Sequence, residues 1–312
     1  MLKVNIVVLN YNGKELLREC LPSVTRASEQ SLYDTKVTVL DNRSSDGSID
    51  FLRKEFPSVG IFLARENKVY CSYNEFFKQS DDDIIIILNS DIKADLGFVD
   101  PLVRCFEKDT SLLFVSSKMY FFDGVTYQGD RSKALRRFGI ISADTRYPGY
   151  ERHIDDRGYA FSTGNGAFDR KKFLELSGFD EIYLPGRYED VDLCFRAWKS
   201  GYKGMYEPES VVYHKGYGSF KEEFTDRQIH GLVFKNSLVF MCKNITNKFM
   251  LMKMFIWLIP KFIYYILTFR FFFIRYFFQF LLKLPSVFER RHVAQADFRM
   301  TDRQLLRIFK DS

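Results

Sequence analysis

Acidic residues at three places in this 312-residue chain have the setting that catalytic or metal-binding side chains need. Asp91 ends the apolar run IIIILNSD, and Asp41 ends another in KVTVLDN. Glu189 and Asp190 open the amphipathic segment YEDVDLCFRAWKSGY. An acid at a strand end favours a ligand site or a cap of the next helix, because ligands of open α/β sheets lie beyond the carboxyl ends of strands. An acidic pair at a helix start favours proton transfer or simple stabilisation of the helix dipole.

Alternating strands and helices are expected to bring these acids together. The predicted strands occupy residues 4–10, 36–42, 59–65 and 84–90, and helical patterns separate them. Such alternation predicts an α/β domain with a parallel, doubly wound sheet, whose strands end along one edge. Asn10, Asp41, Asn67 and Asp91 each lie at or just past the end of a strand. We therefore expect these four side chains to lie along one crevice.

The later part of the chain supplies further elements around that crevice. Residues 120–160 are aromatic and charged without clear periodicity, which predicts loops over the strand ends and a possible specificity lid. The segment STGNGAF indicates a glycine-rich turn, and GMYEPESVVYH indicates one more strand, ending at His214.

Cysteine usage and the N-terminus indicate the compartment. The five cysteines are odd in number and scattered without metal-type spacing, which favours free thiols in a reducing, intracellular setting. The N-terminal segment MLKVNIVVLNYNGKE has too short an apolar run for a signal peptide, so we interpret it as the first strand.

Six segments, taken in order within residues 2–220, carry a resemblance to a known family. They are IVVLNYNGKELLRECLPSV, VTVLDNRSSDGS, LNSDI, GNGAFDRKKFLELSGFDE, YEDVDLCFRAWKSGY and VVYH. Together they resemble family 2 glycosyltransferases of the GT-A (nucleotide-diphospho-sugar transferase) fold, especially the bacterial rhamnosyltransferase-like branch. The resemblance implies an α/β fold with a mostly parallel, doubly wound sheet and a C-terminal helical appendage.

The resemblance also implies a divalent metal, Mg²⁺ or Mn²⁺, at residues 89–91 (Asn-Ser-Asp). Asp91 would hold the ion, and the ion would offset the diphosphate charge that grows as the glycosidic bond breaks. His214 would bind the same metal or a phosphate oxygen, although a lone histidine is often structural. Lys215 and Tyr217 would extend the diphosphate site.

Nucleotide-sugar binding is implied for a set of residues at the strand ends: Asn10, Tyr11, Asp41, Asn67, Asn89 and Ser90. Asp41 would receive the base and ribose through hydrogen bonds, and an Asx-turn is the alternative interpretation. Val69 and Tyr70 depart from the family pattern, which often has glycine and a smaller or flatter residue at these positions.

By the same resemblance, Asp190 is the catalytic base and Glu189 binds the acceptor or orients the site. Asp190 would take the proton of an acceptor hydroxyl during an inverting transfer from a dTDP- or UDP-sugar. The expected acceptors are glycans or lipid-linked glycans, in polysaccharide or O-antigen biosynthesis. A sugar-nucleotide-binding scaffold without turnover is the alternative function, and nucleic acid is not an expected partner.

The C-terminal region differs in composition from the rest of the chain. From Lys243 onward it has 13 Lys or Arg against 4 Asp or Glu, and 10 of the 33 phenylalanines lie within 249–283. This shift predicts a GT-A domain at 1–240 and a basic, aromatic helical region at 241–312.

Residues 249–284 resemble a membrane-spanning segment at first sight, but their longest uncharged run is eight residues. Placed on one helix with a break at Pro260, five polar residues form a narrow face: Lys253, Lys261, Arg275, Gln279 and Lys283. This pattern predicts peripheral contact with an anionic membrane, on the inner face of the cytoplasmic membrane. The alternative is a helical hairpin that packs on the catalytic domain or in a homodimer.

Overall fold

The computed structural model describes residues 2–216 and 223–311, and ten of the strands in those residues form one mixed sheet. The strands are β1 (Lys3–Asn10), β2 (Asp34–Asp41), β3 (Gly60–Leu63), β4 (Ile84–Asn89), β5 (Ile92–Ala94), β6 (Leu112–Phe121), β7 (Tyr127–Gly129), β8 (Lys133–Arg137), β9 (Ile140–Asp144), β10 (Gly158–Tyr159), β11 (Gly166–Asp169) and β12 (Lys203–His214). The helices are α1 (Lys14–Gln30), α2 (Ser48–Glu55), α3 (Tyr73–Gln79), α4 (Val99–Lys108), α5 (Arg170–Glu175), α6 (Glu189–Ser200), α7 (Asp226–Asn244), α8 (Lys248–Leu267), α9 (Phe272–Gln295) and α10 (Asp302–Asp311).

The main sheet runs in the order β10-β12-β6-β11-β4-β1-β2-β3. Strands β4, β1, β2 and β3 are parallel neighbours, as are β6 and β12, whereas β11 pairs antiparallel with both β4 and β6. The predicted α/β class with a mostly parallel sheet is therefore confirmed. The inserted antiparallel strand β11 is what joins the two parallel groups into one sheet.

Strand β4 shows why its sequence is apolar throughout. Ile84 and Ile86 belong to a core shared with α1, α2 and α4 on one face of the sheet. Ile85 and Ile87 belong to a second core with α3, α5 and α6 on the opposite face. A strand buried on both faces cannot alternate with polar residues, so the run of isoleucines follows from its central position.

The prediction of loops for residues 120–160 is wrong for about half of the segment. Strand β7 pairs with β6, and β8 and β9 form a separate two-stranded hairpin. The hairpin register runs from Lys133 opposite Asp144 to Arg137 opposite Ile140. Its polar, half-exposed strands carry no strong alternation, which is why the sequence pattern did not reveal them.

The C-terminal helices do not form the single helix used to interpret residues 249–284. Pro260 lies inside α8, and the chain instead breaks at residues 268–271 before α9 begins. The predicted narrow basic face is therefore wrong, because its residues are divided between two helices. Lys261 and Lys283 are also half-buried within the helical region rather than fully solvated.

A third core joins these helices to the rest of the protein. It contains Phe161, Phe195 and Trp198 together with Phe240 on α7 and Phe309 on α10, among others. Residue 240, where the sequence predicts the boundary between the two regions, lies inside α7. The inner faces of the C-terminal helices thus pack on residues of the preceding region.

Among the described residues, α8 is the one helix that is long and apolar enough to cross a membrane by length and composition. Only 22% of its most apolar stretch is buried inside the protein. Most of its apolar surface is therefore available to a partner.

Candidate active site

Asp91 lies in the tight turn between β4 and β5 rather than at a helix start, which excludes the helix-cap interpretation. Strand β5 pairs antiparallel with β12, in a register that sets His214 opposite Ile92. As a result, the His214 Nε2 atom lies 3.2 Å from the Asp91 Oδ2 atom. The other ring nitrogen, Nδ1, lies 3.0 Å from Gln128 Oε1, so the imidazole is held from both sides.

The carboxylate of Asp91 is only 1% exposed, and neither oxygen has a hydrogen-bond partner in the described part of the chain. Burial of a carboxylate that accepts no hydrogen bond costs several kcal/mol, so a cation shared with the adjacent His214 nitrogen is the natural ligand for it. Asp91 and His214 offer one oxygen and one nitrogen donor to such an ion. No group of three or more His, Cys, Asp or Glu suited to a metal exists within residues 2–216 and 223–311, so further ligands would come from phosphate oxygens or water.

Asp41 and Asn10 are the last residues of the neighbouring strands β2 and β1 and contact each other. Asn10 donates from Nδ2 to Asp41 Oδ2 at 2.8 Å, and the Ser44 amide donates to Asp41 Oδ1 at 2.9 Å. Both residues are buried, and neither lines the cavity described below. Asn42, the next residue after Asp41, does line it. Asp41 therefore lies next to a residue of the cavity wall and is not itself part of that wall. Direct nucleotide contact by Asp41 and Asn10 stays a prediction.

A cavity of about 670 Å³ opens beyond the strand ends. The predicted site residues that line it are Tyr11, Asn67, Asn89, Ser90, Asp91, Glu189, Asp190 and His214. Residues 128–130 and Thr145 line it as well, so part of the segment 120–160 does lie over the strand ends. The cavity thus brings the acids of the β4 turn and of the α6 start to one place.

Tyr70 connects the end of β4, which precedes Asp91, with the glycine-rich turn beside Asp190. Its hydroxyl lies 2.8 Å from Asn89 Oδ1 and 2.7 Å from the Gly164 carbonyl oxygen. A Cβ atom at Gly164 would lie 3.4 Å from Asp190 Oδ2, so the glycine-rich turn directly adjoins the Asp190 carboxylate. Val69 adopts a φ of +50°, which explains why glycine often occupies this position in the family pattern.

The acids at the start of α6 follow a strained loop. Arg187 and Tyr188 have φ values of +77° and +80°, which are unfavourable for non-glycine residues. Glu189 is 7% exposed, and its Oε2 atom has no hydrogen-bond partner among the described residues. Burial, and then the charge of Asp190, raise the pKa of Glu189 to about 8. Burial also raises the pKa of Asp190 above its usual value.

Asp192, two residues further along, faces the opposite way, as expected for that helical spacing. Its carboxylate is fully buried and lies 2.8 and 2.9 Å from Lys243 Nζ. Arg196 Nε donates to it at 2.8 Å, and the Tyr183 hydroxyl donates at 2.7 Å. The ammonium of Lys243 and the guanidinium of Arg196 hold the pKa of Asp192 well below its usual range, against the opposing effect of burial. Asp192 therefore anchors α6 and leaves Asp190 to face the cavity.

Asp130 is a cavity residue that the sequence analysis did not identify. The Thr163 hydroxyl donates to its Oδ2 atom. Burial and the nearby charge of Asp190 raise the pKa of Asp130 well above its usual value, although the Thr163 hydrogen bond opposes this. Residues 120–160 contain other aspartates, and no motif distinguishes this one, so only coordinates could select it.

Lys215 does not reach the Asp91 carboxylate. Its Nζ atom pairs with Glu19 Oε2 at 2.7 Å, and its backbone amide donates to the Asp91 carbonyl oxygen at 3.0 Å. Tyr217, the other residue predicted to extend the diphosphate site, lies outside the described residues.

Comparison with known proteins identifies the family. The sequence model of the family described as glycosyl transferase family 2 matches residues 5–175, more than half of the chain. The chain is 26% identical over 242 residues to the O-antigen chain rhamnosyltransferase RfbN of Salmonella typhimurium, covering 72% of this chain and 69% of that protein. It is 24% identical over 233 residues to the rhamnosyltransferase WbbL of Escherichia coli, covering 68% of this chain and 83% of that protein.

The solved structures match in fold. The structure of GalNAc-T7 with UDP, GalNAc and Mn²⁺ superimposes with a TM-score of 0.56 at 16% identity. The match covers 77% of this chain, and the chain spans about half of the length of that protein, at 48%. The predicted GT-A fold with C-terminal helices is therefore confirmed. The chain belongs to glycosyl transferase family 2 and is a glycosyltransferase.

Proposed function

We propose that this protein is an inverting, metal-assisted transferase that moves a sugar from a dTDP- or UDP-sugar to a hydroxyl of a glycan or lipid-linked acceptor. The observation that carries the proposal is the single cavity lined by Asp91 and His214 and by Glu189 and Asp190. The rhamnosyltransferase relatives support a role in polysaccharide or O-antigen synthesis. The UDP and Mn²⁺ in the GalNAc-T7 structure support the choice of donor and metal.

Asp190 acts as the general base in this proposal. Burial and the charge of Asp190 raise the pKa of Glu189, so we assign the proton of the pair to Glu189 and the negative charge to Asp190. Asp190 accepts the acceptor hydroxyl proton as that oxygen bonds to the anomeric carbon and the bond to the diphosphate breaks. A direct displacement of this kind inverts the anomeric configuration. Protonated Glu189 can donate a hydrogen bond to the acceptor, which an ionised carboxylate could not.

Asp91 and His214 would hold the divalent cation, Mg²⁺ or Mn²⁺. When bound, such an ion offsets the charge of the departing diphosphate. Ser90 lines the cavity beside Asp91, and the side chains of Tyr11 and Asn67 line the wall formed by the neighbouring strands. We assign the diphosphate to the surroundings of Asp91, His214 and Ser90. We assign the nucleoside to Tyr11 and Asn67.

The proposal is tested by incubating the protein with Mn²⁺ and a panel of dTDP- and UDP-sugars, with and without lipid-linked glycan extracts. We expect nucleoside diphosphate release from one donor, stimulated by the right acceptor, and a product with the opposite anomeric configuration by NMR. Tight donor binding without turnover under any acceptor would favour the scaffold alternative. A product that retains the donor configuration would overturn the inverting mechanism.

We further propose that the outer face of α8 and α9 contacts an anionic membrane on the cytoplasmic side. Exposed apolar side chains cover this face, including Trp257 at 47%, Ile259 at 62% and Leu282 at 82% exposure. The tip of the β8–β9 hairpin extends it, because the exposed ring of Phe138 packs at 5.5 Å against that of Trp257. The cations that flank the surface are exposed: Arg136, Arg137, Lys248, Lys253, Arg270 and Arg275. Apolar surface with flanking cations fits an anionic bilayer.

Flotation with phosphatidylglycerol and phosphatidylcholine vesicles tests this contact. We expect co-migration with the anionic vesicles at low salt, and its loss in the Trp257→Ser variant. Leu32→Ser, an equally drastic change at a 76% exposed position outside these helices, is the matched control. A concentration-dependent dimer without vesicle binding would favour the homodimer alternative. Resistance to alkaline carbonate extraction from cell membranes would instead indicate that α8 spans the bilayer.

A further inference from the structure

The side chain of Asn236 on α7 contacts the loop of residues 183–187, which precedes Glu189 and Asp190. Asn236 is completely buried, and its Nδ2 group, which has two hydrogens, lies within hydrogen-bond distance of three backbone carbonyl oxygens of this loop. The distances are 2.7 Å to Tyr183, 2.8 Å to Gly186 and 2.9 Å to Arg187. One amide group thus reaches carbonyls spread over five consecutive residues, with its two hydrogens shared among them.

The loop needs such external support because its own conformation is unfavourable. Gly186, Arg187 and Tyr188 have positive φ values in succession, and Glu189 follows directly. Backbone in these regions persists only where the surrounding structure holds it. Backbone carbonyls that lose a buried donor are costly, so removing the Asn236 amide favours rearrangement of the loop.

A second contact ties the start of the loop to another C-terminal helix. Lys283 on α9 donates from Nζ to the Ile182 carbonyl oxygen at 2.5 Å. The loop is therefore held by α7 and α9, whose residues lie about 50 and 100 positions further along the chain. Both contacts are to backbone carbonyl oxygens. They therefore constrain the position at which α6 begins, and they do not touch the carboxyl groups of Glu189 and Asp190.

We propose that Asn236 is a positioning residue of the transfer reaction, holding residues 183–187 so that the first turn of α6 presents Asp190 to the acceptor hydroxyl. This inference rests on the proposed role of Asp190 as the base. Displacement of a reacting group by about 1 Å can reduce turnover by about 100-fold. Donor binding residues at the ends of β1 and β4 are on other elements. Loss of Asn236 should therefore lower kcat and leave the donor KM nearly unchanged.

The kinetic test compares Asn236→Ala with Ser237→Ala. Ser237 is the adjacent buried residue, and its hydroxyl donates only to the Phe234 carbonyl oxygen of its own helix. With the donor that the wild type uses, we expect Asn236→Ala to lower kcat by about 10- to 100-fold with the donor KM within about threefold. Ser237→Ala should keep kcat within about twofold. Asn236→Ser, which retains one short donor, should give an intermediate kcat and serves if the alanine variant does not fold.

Hydrogen exchange followed by mass spectrometry provides a readout that needs no substrate. We expect amides in residues 182–192 to exchange about tenfold faster in Asn236→Ala than in the wild type, while β1 and β4 peptides are unchanged. Unchanged exchange in that segment, or a loss of kcat equal to that of Ser237→Ala, would overturn the positioning role. Faster exchange in a protein whose wild type turns over no donor would instead count against the proposed function alone.

Discussion

Two kinds of local structure position the acids of the cavity, Asp91 on one side and Glu189 with Asp190 on the other. Asp91 is placed by sheet geometry, since β4 delivers it and the pairing of β5 with β12 brings His214 beside it. Glu189 and Asp190 are placed by a strained loop that side chains of α7 and α9 hold from outside. The position of Asp91, at the sheet-built end, depends on many backbone hydrogen bonds between strands. The position of Glu189 and Asp190, at the loop-built end, depends on a few side-chain hydrogen bonds from Asn236 and Lys283. We therefore expect single substitutions far from the cavity to disturb the second end more than the first.

Asp190→Asn should have the largest effect, at the loop-built end. Removal of a general base lowers kcat by about 10²- to 10⁴-fold, and the donor KM should stay nearly constant. Nucleoside diphosphate release under acceptor saturation measures this. Asp123→Asn, an exposed change in a surface turn, is the control. More than a tenth of wild-type kcat in Asp190→Asn would assign the base to another residue.

Lys243→Met should have the next largest effect, because it removes the cation shared by two buried acids. Lys243 Nζ lies 2.8 Å from Asp192 and 2.7 Å from Asp180. Removing one partner of a buried ion pair lowers the free energy of unfolding by about 3–5 kcal/mol, and the Arg196 guanidinium that remains beside Asp192 should keep the loss at the lower end of this range. Urea unfolding measures the loss. Lys54→Met, which removes an exposed pair with Glu55, should change it by less than about 1 kcal/mol.

Asp91→Ala tests the sheet-built end. Loss of a metal ligand should weaken the dependence on Mn²⁺, and changes around metal sites reduce affinity or activity by about 10- to 100-fold. Titration of Mn²⁺ against initial rate should show a higher half-saturating concentration, with the free energy of unfolding unaltered or increased. An unchanged Mn²⁺ titration would show that Asp91 does not hold the metal.

Glu189→Gln should have the smallest effect, visible as a pH trend. The unfolded carboxyl ionises near pH 4.5, whereas the folded group keeps its proton until about pH 8. Wild-type stability therefore falls as the pH rises through this window, and glutamine removes that loss. The melting temperature of Glu189→Gln should exceed that of the wild type increasingly from pH 5 to 8 and level off above. Exposed Glu151→Gln should give a constant difference.

The sequence by itself determined the four parallel strands β1 to β4 and eight of the residues that line the cavity. Apolar runs such as residues 84–89 predict central strands because burial on both faces requires them. Parallel strands end at one edge, so Asp91 and Asn67 could be assigned to one crevice before any coordinates. The family resemblance predicted that Glu189, Asp190 and His214 belong to the same site.

Only the tertiary structure decided the rest. Asp41 turns to Asn10 and Ser44 instead of the cavity, Asp130 enters it, and Asn236 supports the catalytic loop. Residues 249–284 likewise lie on two helices, α8 and α9, whose inner faces pack on the rest of the protein. Periodicity records which residues are buried in an element. It does not record which distant side chain supplies the partner for a buried carbonyl or carboxylate, because that depends on packing between elements far apart in sequence.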